Sequence, residues 1–139
     1  MTKLLLLFMV ASSSFAFASE SSDLTISITG IKPAKGKVII TIYRDSDSWL
    51  KPKLAVASRS ISSSGVEAAT HFSLSPGSYA IQAFQDENDN GKLDMRWLPP
   101  GPAEPWVVSN NAQGTMGPPA FNDAKFDFPA QQSLSLSLQ

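Results

Sequence analysis

The sequence predicts an all-β protein that folds as a single antiparallel β-sandwich of immunoglobulin-like or transthyretin-like kind, with about seven strands. Two observations favour this fold class. Apolar and polar residues alternate over several short runs, and turn dipeptides such as Lys35-Gly36 and Pro76-Gly77 separate the runs. Alternation places one face of a strand on a core and the other in water, which is typical of antiparallel sheets. No helical period of apolar residues persists in the rest of the chain.

The first residues have the pattern of a secretory signal peptide. Lys3 provides a positive start, Leu4–Val10 is an unbroken apolar run, and Ala16–Ala18 fits the small-x-small rule for cleavage. We therefore expect residues 1–18 to be a signal peptide and residues 19–139 to be one β-sandwich domain. The exported protein would reside in the periplasm or outside the cell.

The strands are predicted from the alternating runs that follow. The clearest are Leu24–Ile28, Lys37–Tyr43, Tyr79–Phe84 and Leu134–Leu138, and the weaker ones are Leu54–Ser60, Val66–Leu74, Val107–Ser109 and Phe121–Phe128. One short turn of helix is expected within Ser46–Leu54, because Asp45 and Ser46 are good capping residues.

Composition excludes several classes of function. The chain has no cysteine, so disulfides, thiol catalysis and a lipid-modified cysteine are excluded. Its 11 basic and 12 acidic residues form no basic run, which argues against nucleic acid as a partner. No second long apolar run follows the leader, so the mature protein should not be embedded in a membrane.

The stretch Asp86–Asp94 has the spacing of a calcium-binding loop. Oxygen-bearing side chains occupy its first, third, fifth and ninth places, with glycine at the sixth. Hard divalent cations prefer six to eight such oxygens, and glycine permits the sharp turn between them. Trp97 stands at the twelfth place, where an EF-hand has glutamate, and Glu104 is a candidate for the missing carboxylate. The predicted calcium ligands are Asp86, Asn88, Asn90, the backbone carbonyl of Lys92, and Asp94.

Several motifs in order carry a resemblance to a known family. They are Tyr79–Ile81 leading into Asp86–Asp94, then Gly101–Pro105, Ser109–Asn111 and Pro119–Ala124, with Gly30 and Lys37–Tyr43 as a first hairpin. Together they resemble the exported bacterial family named domain of unknown function 2141, over nearly the whole mature chain. The resemblance implies export and a one-domain β-sandwich, and it implies no activity. The chain departs from the family motif at Leu98–Pro102 and Trp106–Val108.

No catalytic residue is predicted. The one histidine, His71, falls on the solvent side of an alternating strand, and no serine lies in a Gly-x-Ser-x-Gly elbow. The best enzymatic alternative is a polysaccharide hydrolase in which Glu87 and Glu104 act as paired carboxylates.

We therefore expect a non-catalytic module that binds a ligand or has a structural role in the cell envelope. The long segment after the acidic loop contains residues whose aromatic rings and amides suit sugars. The candidate ligand-binding residues are Trp97, Glu104, Trp106, Asn110 and Asn111. Both tryptophans could instead cover the end of the core, and the Ser-Asn-Asn segment could be a turn that binds its own backbone. The expected partner is a carbohydrate or another envelope protein.

Overall fold

The computed structural model describes residues 13–16 and 21–139. Most of the predicted signal peptide, including the cleavage site after Ala18, lies outside the described residues. Within the described ranges, no helix has the length and apolar character needed to cross a lipid bilayer.

The described chain is mostly β-strand with little helix, as predicted. Its ten strands are β1 (Ser22–Thr29), β2 (Lys37–Tyr43), β3 (Ala57–Ser62), β4 (Glu67–Leu74), β5 (Gly77–Asp86), β6 (Met95–Arg96), β7 (Gly101–Pro102), β8 (Trp106–Val108), β9 (Phe126–Phe128) and β10 (Ser133–Ser137). Two short 3-10 turns lie at Pro52–Leu54 and Ser109–Asn111, and one short α-helix, α1, spans Phe121–Ala124.

The strands form two main sheets. One has the order β10-β1-β4, and the other has the order β3-β2-β5-β8, with β9 pairing a different part of β5. β6 and β7 form a small separate hairpin. Most pairs are antiparallel, as predicted, but β10 runs parallel to β1. The chain reaches β10 from β9 of the other sheet, without a tight hairpin to β1, so its direction is not reversed.

The two sheets share one hydrophobic core. Alternate residues of β1 (Leu24, Ile26, Ile28), of β2 (Val38, Ile40, Ile42) and of β10 (Leu134, Leu136) belong to a single buried cluster, which also contains Leu138 just after β10. Burying an aliphatic side chain of this size contributes about 1.5–3 kcal/mol. These alternating runs therefore have the predicted role, with one face of each strand on the core.

Arg59 of β3 connects the edges of the two sheets. Its Nη1 donates hydrogen bonds to Thr70 Oγ1 at 2.9 Å and to the His71 carbonyl at 2.6 Å, both on β4. The guanidinium also lies 4.8 Å from the centre of the Phe72 ring. The cation therefore covers the core where no backbone ladder joins β3 to β4.

β5 is buried on both faces, whereas a polar outer face was expected. On its outer face Ala80 packs in a second cluster with Val108, Phe121 and Ala124. Trp49 lies against this cluster, 6.0 Å from the Phe121 ring, and donates its indole N–H to the Pro119 carbonyl at 2.8 Å. The segments after β2 and β8 thus cover the back of the five-stranded sheet.

The predicted strand Phe121–Phe128 is wrong in its first half. Phe121–Ala124 is helical, and only Phe126–Phe128 pairs with β5. Phe121 and Ala124 are three residues apart, so one turn of helix places both on the second cluster. The predicted strand at Leu54–Ser60 also begins later, at Ala57, because Pro52–Leu54 forms a 3-10 turn within the segment expected to be helical.

Candidate functional site

The acidic loop begins where β5 ends against the β1–β2 turn. Gln85 is fully buried, and its amide Nε2 donates to the carbonyls of Lys32 and Lys35, both at 2.7 Å. Its Oε1 accepts the backbone N–H of Lys32 at 2.9 Å. Gly36, at φ 59°, passes so close that a Cβ would lie 1.8 Å from the Asp86 carbonyl oxygen. The start of the loop is therefore fixed to a neighbouring turn.

The buried carboxylate of Asp86 holds the turn of the loop. The residue is fully buried, and its Oδ1 and Oδ2 accept the backbone N–H groups of Asn90 at 3.1 Å and of Gly91 at 2.8 Å. Gly91 has φ 80°, the left-handed conformation that the sequence predicted for the sixth place. Charge-assisted bonds to backbone N–H groups hold the turn around this carboxylate.

The amides of Asn88 and Asn90 meet on the carboxylate of Asp94. Asn88 Nδ2 donates to Asp94 Oδ2 at 2.7 Å, and Asn90 Nδ2 lies 2.9 Å from each Asp94 oxygen. These hydrogen bonds, first from Asn90 and then from Asn88, hold the pKa of Asp94 below its ordinary value of 3.8. The loop thus brings two of its predicted ligand side chains, Asn88 and Asn90, into contact with a third, Asp94.

Two lysines from other segments contact the remaining acids of the loop. Lys32 Nζ lies 2.7 Å from a Glu87 carboxylate oxygen, and Lys37 Nζ lies 3.7 Å from an Asp89 oxygen. Sequence reasoning missed both pairs, because the lysines are some fifty residues away and only the fold brings them close. Asp86 and Asp94 are the two loop carboxylates without such a lysine among the described residues.

Glu104 comes to the loop, as expected, but it contacts backbone. It is buried, with 8% of its surface exposed, and its Oε1 accepts the Glu87 N–H at 2.9 Å. Its Oε2 accepts the Asp94 N–H at 3.0 Å. One side chain therefore joins the two ends of the loop.

The donor chemistry of the loop fits a hard divalent cation. Two carboxylates balance a double positive charge, and the two carboxamides carry oxygens that a half-turn of each amide would direct at Asp94. Within the described residues, no group of three or more acidic, histidine or cysteine side chains is arranged for a metal. A cation here would rely on Asp86, Asp94, the amide oxygens of Asn88 and Asn90, the Lys92 carbonyl, and water.

The two candidate tryptophans have different surroundings. Trp97 is 91% exposed and covers neither cluster, whereas Trp106 is half-buried against the second cluster. The backbone of Trp106 also exchanges hydrogen bonds with Gln139. Trp106 therefore covers part of the hydrophobic core, as one of the two interpretations expected, whereas Trp97 does not.

The Ser-Asn-Asn segment binds the protein's own backbone. Ser109 is fully buried; its Oγ accepts the Ile81 N–H at 2.9 Å and donates to the Ala124 carbonyl at 2.5 Å. Asn110 donates its amide hydrogens to the carbonyls of Asp123 and Lys125. Asn111 is exposed. Ser109 fills the gap between β8 and β9 along β5, a role that no local sequence signal indicates.

His71 lies where the alternation predicted. It is exposed on β4, and its Nδ1 is 3.1 Å from the Thr25 hydroxyl of β1. No acid appears among its contacts within the described residues. This placement is typical of a solvated strand residue.

The comparisons with known proteins agree with the family resemblance. The family model described as "Uncharacterized protein conserved in bacteria (DUF2141)" matches residues 26–135. Neither the curated proteins nor the solved structures give a match.

Proposed function

The chain belongs to the bacterial family DUF2141, and we propose that it is an exported, non-catalytic β-sandwich module whose acidic loop, residues 86–94, binds calcium. One observation carries the calcium proposal. The amide nitrogens of Asn88 and Asn90 stand within 2.9 Å of Asp94 oxygens, so they occupy the place that a cation would take between these side chains.

Turning the two amides would replace donors by acceptors. Four oxygens would then face one another around Asp94, an arrangement that a divalent cation stabilises. Asp86 already receives backbone N–H groups from Asn90 and Gly91, so the loop has its turn before the cation binds. Lys32 and Lys37 offset the charges of Glu87 and Asp89, so the negative charges of Asp86 and Asp94 remain. A divalent cation would neutralise these two charges.

We propose that the two main sheets pack face to face as a β-sandwich. This proposal is supported by one hydrophobic cluster to which both sheets contribute, the sheet β10-β1-β4 and the sheet that contains β2 and β5. Such a domain holds its loops on a fixed frame, which suits a site built on a strand end. The predicted leader supports export.

The hydrolase alternative receives less support. Glu87 contacts Lys32, and both oxygens of Glu104 accept backbone N–H groups. Paired catalytic carboxylates need to flank a substrate, with one free as acid and the other as base or nucleophile. These two acids instead hold the loop together.

Carbohydrate or an envelope protein remains the proposed class of partner for the surface near the loop. Asn110 contributes little to this proposal, because its amide is bound to backbone. Trp97, Asn110 and Asn111 are the exposed members of the predicted set, Trp106 is half-buried, and Glu104 is buried.

Calcium-dependent stability tests the proposal. The chain from residue 21 onward contains every strand that the structure describes, and its thermal unfolding would be compared with calcium, with magnesium and with a chelator. Calcium at a hundred times its Kd should stabilise the fold by about 2.7 kcal/mol, a rise in Tm of about 10 °C. Magnesium should have a smaller effect, because it requires a stricter octahedral geometry. Equal melting in all three buffers would refute the metal site.

A further inference from the structure

The β6–β7 hairpin carries an unusual set of exposed apolar side chains. Met95, Trp97 and Leu98 are 64%, 91% and 89% exposed. Among the described residues, eight large apolar side chains are exposed to solvent, and these are three of them. We call residues 95–102 the apolar hairpin. Single exposed apolar residues are ordinary, but a cluster of them marks a surface that contacts something else.

The base of the apolar hairpin is held firmly. β6 and β7 pair through Met95 with Pro102 and through Arg96 with Gly101, and the Ala103 N–H donates to the Asp94 carbonyl at 2.8 Å. At the tip, Arg96 Nε donates to the Pro99 carbonyl at 3.1 Å. The exposed side chains therefore project from an organised turn.

The backbone of the tip has few donors that would need water. Pro99, Pro100 and Pro102 have no N–H, and hydrogen bonds at the base use others. The prolines reduce the number of N–H groups that would lose water in a headgroup layer, and they make the segment a poor edge for pairing with a strand of another protein.

The charge of the tip is positive. Residues 95–103 contain Arg96 and no acidic residue. Of the charged residues that flank them, Lys92 is exposed, whereas Asp94 is half-buried with its carboxylate bound by the Asn88 and Asn90 amides. Glu104 is buried, and both of its oxygens accept backbone N–H groups. Cations beside an apolar tip complement the phosphates of anionic lipids, and tryptophan prefers the level of lipid headgroups. This combination favours a lipid surface over a neutral polysaccharide.

We propose that the apolar hairpin docks the domain on the surface of an anionic lipid bilayer. Trp97 and Leu98 enter the headgroup layer, and Arg96 contacts lipid phosphates. The domain attaches to the surface without crossing the membrane. This inference goes beyond the calcium proposal, since it uses side chains outside the proposed ligand set, on a hairpin whose base is held by its own backbone pairing.

Vesicle binding tests the proposal with the chain from residue 21 onward. The probes are vesicles of phosphatidylglycerol mixed with phosphatidylcholine, and vesicles of phosphatidylcholine alone, in a calcium-containing buffer. We expect the protein to sediment with the anionic vesicles and its tryptophan emission to shift to shorter wavelength. Trp97 should account for the shift, because Trp49 and Trp106 are already half-buried.

Variants distinguish vesicle binding through the apolar hairpin from nonspecific hydrophobic adsorption. The double variant Trp97→Ser with Leu98→Ser should bind anionic vesicles at least about tenfold more weakly. Arg96→Gln should weaken that binding about fivefold. The matched control is Val66→Ser with Met116→Ser, which also removes two exposed apolar side chains and should bind like the wild type. Thermal unfolding of each variant should match the wild type, since none of these side chains is in a core.

Four results would overturn the proposal. The wild type could fail to bind either vesicle, the Trp97 and Leu98 variant could bind as tightly as the wild type, or the control could lose as much binding. A Trp97 emission shift with a soluble polysaccharide and none with vesicles would also overturn it, in favour of a sugar.

Discussion

The carboxylate of Glu104 accepts the backbone N–H of Asp94 at 3.0 Å. The same carboxylate accepts the N–H of Glu87 at 2.9 Å, so one buried side chain fixes the width of the acidic loop. A loop whose ends are already joined loses less conformational freedom when it binds a cation. Glu104 is thus a positioning residue for the proposed site.

Replacing Glu104 should destabilise the protein. Glu104→Ala removes two charge-assisted hydrogen bonds, and we expect a loss of about 2 kcal/mol in the free energy of unfolding. Glu104→Gln retains one acceptor and should lose about half as much. Chemical denaturation with a chelator present measures both. Glu67→Gln, on an exposed acid of β4, is the control; a similar loss there would contradict the assigned role.

Substitutions at two acidic residues of the loop distinguish calcium coordination by specific ligands from attraction by the overall negative charge. Asp94→Asn removes a proposed ligand, whereas Asp89→Asn removes an acid whose side chain is 63% exposed and whose nearest cation is Lys37. Calorimetric titration should show calcium affinity about tenfold or more lower in Asp94→Asn and within about threefold of wild type in Asp89→Asn. Equal losses would mean that diffuse negative charge, and not a ligand set, attracts the cation.

Acid should weaken the loop of the calcium-free protein. The Asn90 and Asn88 amides hold the pKa of Asp94 below 3.8. A lowered carboxyl pKa adds stability at pH values above the ordinary one, and that stability is lost as the pH falls through the folded-state value. Thermal unfolding should therefore show a stability decline below about pH 3.8 that is shallower in Asp94→Asn. Identical profiles would show that the amide contacts do not persist in solution.

Ser109 should matter for stability far more than its neighbour Asn111. Ser109→Ala leaves the Ile81 N–H and the Ala124 carbonyl without their buried partner, a loss of about 2–3 kcal/mol. Asn111→Ala, at an exposed position, should stay within about 0.5 kcal/mol of wild type. Denaturant titration measures both. A large effect of Asn111→Ala on stability would contradict this division.

Tyr43 offers a substitution that should stabilise. Its ring packs edge-on to Trp49 at 5.4 Å, and its hydroxyl, fully buried, has no hydrogen-bond partner among the residues that the structure describes. Burial raises the pKa of Tyr43 to about 12. Tyr43→Phe should raise the free energy of unfolding by about 1 kcal/mol. A decrease would show that the hydroxyl bonds to a group in solution.

Much of the β structure could be predicted from local alternation. β1, β4 and β10 have one buried face, which their alternation of apolar and polar residues indicates directly. In β2 the same alternation indicates the face that lies on the core. β5 misled the prediction, because residues from distant segments bury its outer face. The helix at Phe121–Ala124 was missed for a related reason, since its two buried residues fit a strand or a helical turn equally well.

The site was predictable in part. The spacing of Asp86–Asp94 and the reach of Glu104 come from a short stretch of chain, and the structure brings these residues together. The cations at Lys32 and Lys37 depend on which strands are neighbours, which spacing does not encode. Gln85 could have been noticed, because it is a polar residue on the core face that follows Tyr79, Ile81 and Ala83.

The parallel pairing of β1 with β10 also has a kinetic consequence. Residues 25–29 find their partners at residues 133–137, more than a hundred positions later in the chain. Contacts of such separation form slowly, because a long loop must close first. During synthesis, β1 can complete its sheet only after β10 has emerged from the ribosome. The three-stranded sheet, and with it the core, therefore stays incomplete until residues 133–137 are available to pair with β1.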